Sequence, residues 1–218
     1  MDNLKIFNAK WSSSSAGPSL DKNNYRTEIF LAGCKKAEEG NPCDGCFNPG
    51  LWNKNSYYGD MSPRECFNHI RKYAPNKYIT FVGGEPLDQV DPLSELCRML
   101  HKEGYHIIVI THHMGEELMM QANMQHRGAK KLLRNIDGLV DGEYMKQYRI
   151  WDEDKAGDGL HDVIGSGNQR IFDFKRYREG KTQEVENIAA EKLAGWYMNR
   201  NKDFVFVLNA EEKNEQAN

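Results

Sequence analysis

The stretch Tyr78-Ile79-Thr80-Phe81-Val82-Gly83-Gly84-Glu85-Pro86 decides the fold. Its first five residues are rich in β-branched and aromatic side chains and read as a short buried strand, which two glycines then end. Without side chains to clash, backbone at Gly83 and Gly84 can approach a ligand closely. Pro86 stiffens the exit and Glu85 offers a carboxylate near that ligand. A glycine pair after a strand also suits an ordinary turn, so the signal is weak alone. It gains weight from an earlier apolar run, residues 27–31, which leads into Ala32-Gly33-Cys34. Two unusual endings on two strands put chemistry at one edge of a sheet.

Working outward, further strand-like runs cover 107–110, 138–140, 171–174 and 204–208. Amphipathic segments separate them. Ser62-Pro63-Arg64-Glu65 predicts a helix start with a capping box and proline in the first turn, after which Cys66, Ile70 and Tyr73 share a face. Asp91-Pro92 opens a second helix whose Leu93, Leu96, Cys97 and Leu100 form a stripe. Others are expected over 116–126 (Met-rich), near 130–134 and over 184–196. Short buried strands alternating with helices predict an α/β fold with a parallel sheet built from βαβ units. Functional residues of such sheets collect at the carboxyl ends of the strands, where Cys34 and Gly83–Pro86 both stand. Residues 1–25 read as an N-terminal extension with polar Ser12–Ser15, 26–174 as the core, and 175–218 as a helix-strand segment with a polar tail from 210. Within the core, 151–167 is rich in Asp and Gly and reads as a long loop.

The chain has five cysteines, and Cys34, Cys43 and Cys46 fall within thirteen positions. Three soft thiolates on one loop can hold a metal or an iron–sulfur cluster, and three is one too few to close a tetrahedral or cubane site. An iron left open is a place to bind a substrate. Cys66 and Cys97 lie on the apolar faces of the two helices and read as core.

Bulk composition narrows the function classes. At 218 residues, 39% hydrophobic and 11% aromatic, the chain is long enough to bury a sizeable core as one domain or a domain with an added lobe. A net charge of −3 gives no electrostatic reason to expect nucleic acid or an anionic membrane as partner. No apolar run approaches the roughly 20 residues that span a bilayer, and no signal-peptide core is visible at the N-terminus. An odd, unevenly spread cysteine set argues against a secreted disulfide framework, so a reducing cytoplasm is expected.

Together these motifs resemble the radical S-adenosylmethionine superfamily, whose signature is three cysteines spaced three and two residues apart with a Gly-Gly-Glu-Pro segment on the next strand. The closer resemblance is to the activating proteins of anaerobic ribonucleoside-triphosphate reductase. It rests on Gly33-Cys34, on Cys43-Asp44-Gly45-Cys46-Phe47-Asn48-Pro49 with Trp52 beyond, and on Gly83–Pro86. It extends through Asp137-Gly138-Leu139-Val140-Asp141-Gly142 and Gly165-Ser166-Gly167-Asn168-Gln169-Arg170-Ile171, so that matches run from about Arg26 to Phe174. The chain departs from the pattern in its first spacing, eight residues instead of three. The longer loop costs about 1 kcal/mol of closure entropy, small beside iron–thiolate bonds, and Gly40-Asn41-Pro42 can turn it back. The strand end Ile110-Thr111-His112 lacks an expected aromatic, and nothing after Phe174 has a counterpart.

The resemblance implies a partial parallel β/α barrel of about six strands. It implies a [4Fe-4S] cluster on Cys34, Cys43 and Cys46, with the methionyl amine and carboxylate of S-adenosylmethionine on the fourth iron. Gly83, Gly84 and Glu85 would position the amine, and backbone at Gly45 and Phe47 would line the adenine side. One electron, from a donor such as a flavodoxin, would cleave the sulfonium to a 5′-deoxyadenosyl radical. That radical would take hydrogen from a glycine of the anaerobic reductase's glycyl-radical subunit, with no side-chain acid, base or nucleophile.

Other readings stay open. An activase for a different glycyl-radical enzyme would share the cluster. So would a small-molecule enzyme such as 7-carboxy-7-deazaguanine synthase, some of whose relatives lengthen the first cysteine spacing. A zinc-stabilised binding module would use the same cysteines with His69 or His113, though structural zinc ligands come as paired short spacings and a second pair is absent. His112-His113 reads as exposed strand-end residues or as a metal or acid–base pair. Met119, Met120 and Met124 read as core.

Overall fold

Apolar side chains alternating with period two build one mixed sheet, and helices with period near 3.6 cover it. The computed structural model describes residues 2–10, 26–57, 59–149, 165–174, 196–198 and 204–206. The strands are β1 (Leu4–Lys10), β2 (Thr27–Leu31), β3 (Gly59–Met61), β4 (Tyr78–Gly83), β5 (His106–Ile110), β6 (Gly138–Asp141) and β7 (Arg170–Asp173). They form a seven-stranded sheet in the order β3-β1-β2-β4-β5-β6-β7. β2, β4, β5 and β6 run parallel, whereas β1, β3 and β7 pair antiparallel at the flanks.

The sequence reading is a partial parallel β/α barrel of about six strands. The α/β class and the four parallel strands stand, but the sheet is mixed and open, with β3 and β7 at its two edges. Leu4–Lys10, placed by sequence in an extension ahead of the core, is a strand between β2 and β3. A second sheet pairs β8 (Trp196–Met198) with β9 (Phe204–Phe206). Trp196, expected to end a helix, therefore opens a strand; residues 184–195, 207–208 and the polar tail lie outside the described residues, as does 151–164 of the expected loop.

The connections carry α1 (Lys35–Glu38), α2 (Pro63–Tyr73), α3 (Val90–Lys102), α4 (Gly115–Asn123) and α5 (Arg127–Leu133). Ser62 caps α2 as the sequence implies: its hydroxyl accepts from Glu65 N, and the Glu65 carboxylate accepts from Ser62 N at 2.8 Å. One core joins the helices to the sheet. Ile29, Leu31, Ile79, Phe81, Ile107, Val109 and Leu139 meet Cys66, Ile70, Leu93, Leu96, Cys97 and Leu100. Both cysteines are buried in this core, and burial pushes the Cys66 thiol up to about 12 and Cys97 well above the ordinary thiol value. Three packing expectations fail. Phe67 takes the buried place on α2 while Tyr73 is exposed, and Met120 and Met124 are exposed where only Met119 is core.

The parallel strands all end on one rim, which gathers Gly33-Cys34 after β2, Gly84-Glu85 after β4, Thr111–His113 after β5 and Gly142-Glu143 after β6. No helix among the described residues is long and apolar enough to cross a membrane.

Candidate metal centre

The cysteine loop is held in place by backbone hydrogen bonds. Gly33 N and Cys34 N donate to the carbonyls of Leu51 and Trp52 at 2.8 and 2.9 Å, so the segment after Cys46 returns to lie along Cys34. Gly33 sits at φ +98, a left-handed conformation that glycine adopts without strain. The eight residues between Cys34 and Cys43 are not slack. Their first half is α1, whose Ala37 N and Glu38 N donate to Cys34 O, and Gly40 at φ +83 reverses the chain. Three outside contacts pin this turn. Lys35 N donates to Asp88 Oδ2 at 2.7 Å, Lys54 N to Glu38 Oε1 at 3.1 Å, and Lys36 Nζ pairs with Glu143 at 2.9 Å.

All three thiols are free; Cys34 is buried, and Cys43 and Cys46 are half-buried. Cys46 closes a tight turn through Cys46 N donating to Cys43 O, with Gly45 at φ +70 inside it. Two N–H groups point at the Cys46 sulfur: Asn48 N and Trp52 Nε1, each at 3.4 Å. Burial pushes the Cys43 thiol up to about 11 against a backbone hydrogen bond from the Tyr144 region. A thiolate surrounded by N–H donors suits iron–sulfur ligation, because such bonds offset the charge on sulfur. Three thiolates on a single zinc ion would sit about 3.8 Å apart. Among the described residues, the group of three donors converging within 4.8 Å is instead Glu85, His112 and His113. His69 lies elsewhere on α2 with its ring against Tyr73. The donor chemistry therefore fits a polynuclear cluster better than one ion.

The Gly-Gly-Glu-Pro segment does something the sequence did not disclose. Gly84 N and Glu85 N donate to the carbonyls of Leu31 and Gly33, both at 2.7 Å, which stitches β4 to the cysteine loop. A Cβ on Gly83 would lie 2.4 Å from backbone atoms of Leu31, and one on Gly84 2.1 Å from Gly33 O. The close approach that needs glycine is thus to the chain's own backbone, at Leu31 for Gly83 and at Gly33 for Gly84. The Glu85 side chain is fully buried and accepts from Thr111 Oγ1 at 2.6 Å, His112 N at 3.0 Å, Leu87 N at 2.7 Å and the His112 ring at 2.6 Å. Burial raises the Glu85 carboxyl, but the donors, His112 foremost, outweigh it and leave it lowered. His112, read from sequence as exposed at a strand end, belongs to this network. Its burial lowers it, while the Cys34 side chain and Glu85 push it up to about 10.

Beyond the cysteines, Phe47 is about half exposed and packs on Tyr144 with centroids 4.3 Å apart, with the Arg149 guanidinium 5.9 Å from its ring. Gly45 is so close to Lys146 that a Cβ would come within 2.9 Å of it. The glycine-serine-rich segment is a brace for this side. Gln169 Oε1 accepts from Gly165 N at 2.8 Å and its amide donates to Gly142 O at 3.0 Å, while Asn168 donates to Glu143 O at 2.7 Å. Arg170 makes paired contacts with Asp141 and Glu116. Arg170, Asp141 and Tyr144 escaped a functional reading because their partners lie far away in sequence.

Residues 22–172 match the family model described as a 4Fe-4S single cluster domain. The chain is also similar to a pyruvate formate-lyase-activating enzyme from Clostridium pasteurianum, 23% identical over 178 residues that cover 79% of this chain. It spans 61% of that relative's length. The matched span holds the three clustered cysteines, the Gly-Gly-Glu-Pro segment and the whole parallel sheet, and the chain belongs to the 4Fe-4S single cluster domain family.

Proposed function

We propose that the chain is a radical S-adenosylmethionine activase that makes the glycyl radical of an anaerobic ribonucleoside-triphosphate reductase, working in the cytoplasm with a one-electron donor such as a flavodoxin. The observation that carries the reading is the thiol count at the rim. Cys34, Cys43 and Cys46 share one braced loop, while Cys66 and Cys97 are locked in the core, so a cubane held here keeps one iron free of protein sulfur. A partial barrel is the corresponding arrangement of the open sheet.

In this reading the three cysteines hold the cluster. When bound, the cluster and S-adenosylmethionine supply one-electron reductive cleavage of a sulfonium. The chain's own residues bind, orient and shield. Asn48 N and Trp52 Nε1 donate to the Cys46 sulfur and offset its charge. The backbone at Gly83 and Gly84 fixes the height of Cys34 over the rim and faces the amine end of the ligand. Backbone at Gly45 and Phe47, with the Tyr144 ring behind, lines the adenine side. Glu85, expected to touch the amine, acts from behind by fixing His112 and Thr111. Buried Cys34 and Leu51 keep water from the inner side of the loop.

The name of the Clostridium relative supports a second reading, an activase for a formate-lyase type of glycyl-radical enzyme. One experiment separates them. Anaerobically reconstituted, reduced protein is mixed with S-adenosylmethionine and either candidate partner, and 5′-deoxyadenosine and the EPR spectrum are followed. A glycyl doublet on the reductase supports the first reading, and a doublet only on the formate-lyase supports the second. Turnover of a pterin without a protein partner overturns both and leaves a small-molecule enzyme.

A further inference from the structure

We propose that Asp88 is a positioning residue for the cluster: its carboxylate holds the backbone amide that follows Cys34 and so fixes that cysteine at the rim. The inference rests on the cluster reading above.

Cys34 stands at the N-cap of α1, where a side-chain oxygen ordinarily takes one of the first free N–H groups of a helix. No side-chain cap hydrogen bond forms there, and in the cluster reading the thiol is committed to iron. The acceptor comes from another element. Asp88 Oδ2 accepts from Lys35 N at 2.7 Å. The Asp88 side chain is 13% exposed, and burial pushes its carboxyl up against the lowering by that amide. The Lys35 ammonium adds little, because it lies 3.9 Å from Oδ1 on a side chain that is 71% exposed. The backbone amide is the group that this carboxylate serves.

The contact completes a line of four along the chain at Cys34. Gly84 N donates to Leu31 O and Glu85 N to Gly33 O, both at 2.7 Å, and Gln89 Nε2 donates to Ala32 O at 3.0 Å. Asp88 carries the line past the cysteine to Lys35, with the direction of donation reversed. Residues 31–33 and 35 are each held by the segment 84–89, and Cys34 lies between the last two with its own N–H on Trp52 O at 2.9 Å. Of these four contacts, Asp88 alone grips the chain beyond the cysteine. A ligand thiolate keeps its geometry only where the backbone on both sides of it is supported, and Asp88 supplies the second side.

The test uses the full chain, reconstituted anaerobically, as wild type, Asp88→Ala and Asp88→Asn. The rate of iron loss to a chelator, the EPR spectrum of the reduced cluster and the urea midpoint of the iron-free chain are measured. Asp88→Ala should lose iron at least about tenfold faster than wild type, the scale of one charge-assisted hydrogen bond. Its EPR spectrum should shift, while its iron-free midpoint stays near that of the wild type. Asp88→Asn, whose amide oxygen still accepts the Lys35 N–H, should restore most of both cluster readouts. Wild-type behaviour in both variants would overturn the proposal while leaving the cluster reading intact. Equal damage in both would overturn it too, since the effect would then belong to the charge and not to the acceptor. A fall in the iron-free midpoint that matches the iron loss would assign Asp88 to general stability instead. Failure of the wild type to take up iron would refute the cluster reading itself.

Discussion

At Gly84 the available space is what matters. Its missing Cβ is replaced by Gly33 O at 2.1 Å and Leu51 O at 2.8 Å, both backbone, so nothing nearby can swing aside. Gly84→Val should therefore push the Cys34 loop off the rim and lose iron together with S-adenosylmethionine binding. A variant that loads full iron and loses only the ligand would show that the pair serves the cofactor alone. Cys43→Ala should also lose iron, since removing one of three thiolates exposes a second iron to solvent. Full loading and cleavage in that variant would remove the triad from the site. These residues differ in how visible they were. The cysteine triad and the glycine pair stand out in the sequence because each is a local pattern. His112 does not, because Glu85 is 27 positions away and only folding brings the two together.

Between elements, one carboxylate joins two helices. Glu95 on α3 pairs with Arg98 one turn on and reaches Lys131 on α5 at 2.9 Å. The hydrogen bond from Arg98, then that from Lys131, hold its carboxyl down to about 2. A depressed carboxylate contributes stability above its unfolded value, about 4.3, and that contribution disappears as pH falls through the folded one. The wild type should thus lose stability between about pH 4.5 and 2, and Glu95→Gln should flatten that part of the profile in urea titrations. An unchanged slope would mean that the α3–α5 contact rests on apolar packing alone. Beneath that contact Leu96 is fully buried, and Leu96→Ala should cost about 2–5 kcal/mol by leaving a cavity. The helices were readable in advance because capping boxes and apolar stripes are short-range signals, as at Ser62–Glu65. The face of α2 was misjudged because Phe67 and Tyr73 are both large aromatics, and which one the sheet covers is a tertiary choice.

For the whole molecule, the four parallel strands were legible from their apolar runs, whereas the sheet's edges were not. β3 is only Gly59–Met61 and has no apolar alternation, so it is a strand solely because β1 pairs with it. β7 reads like any other strand, but it runs antiparallel to β6 and leaves the sheet open. What holds that edge to the rim is Arg170. Its guanidinium meets Asp141, which is wholly buried, and Glu116 on α4, so one side chain ties β7, β6 and a helix together. Just past Asp141, Glu143 grips Lys36, which joins the clamp's strand to the cysteine loop. Removing the cation leaves Asp141 with Gly115 N as its remaining strong donor, and an uncompensated buried carboxylate is costly. Arg170→Met should lower unfolding stability by about 3–5 kcal/mol in urea titrations. The double variant Arg170→Met/Asp141→Asn should recover part of that loss, because a neutral amide tolerates burial better than an ion. A loss below about 1 kcal/mol in the single variant, or no recovery in the double, would mean that the edge is held by Phe172 and Phe174 in the core rather than by the clamp.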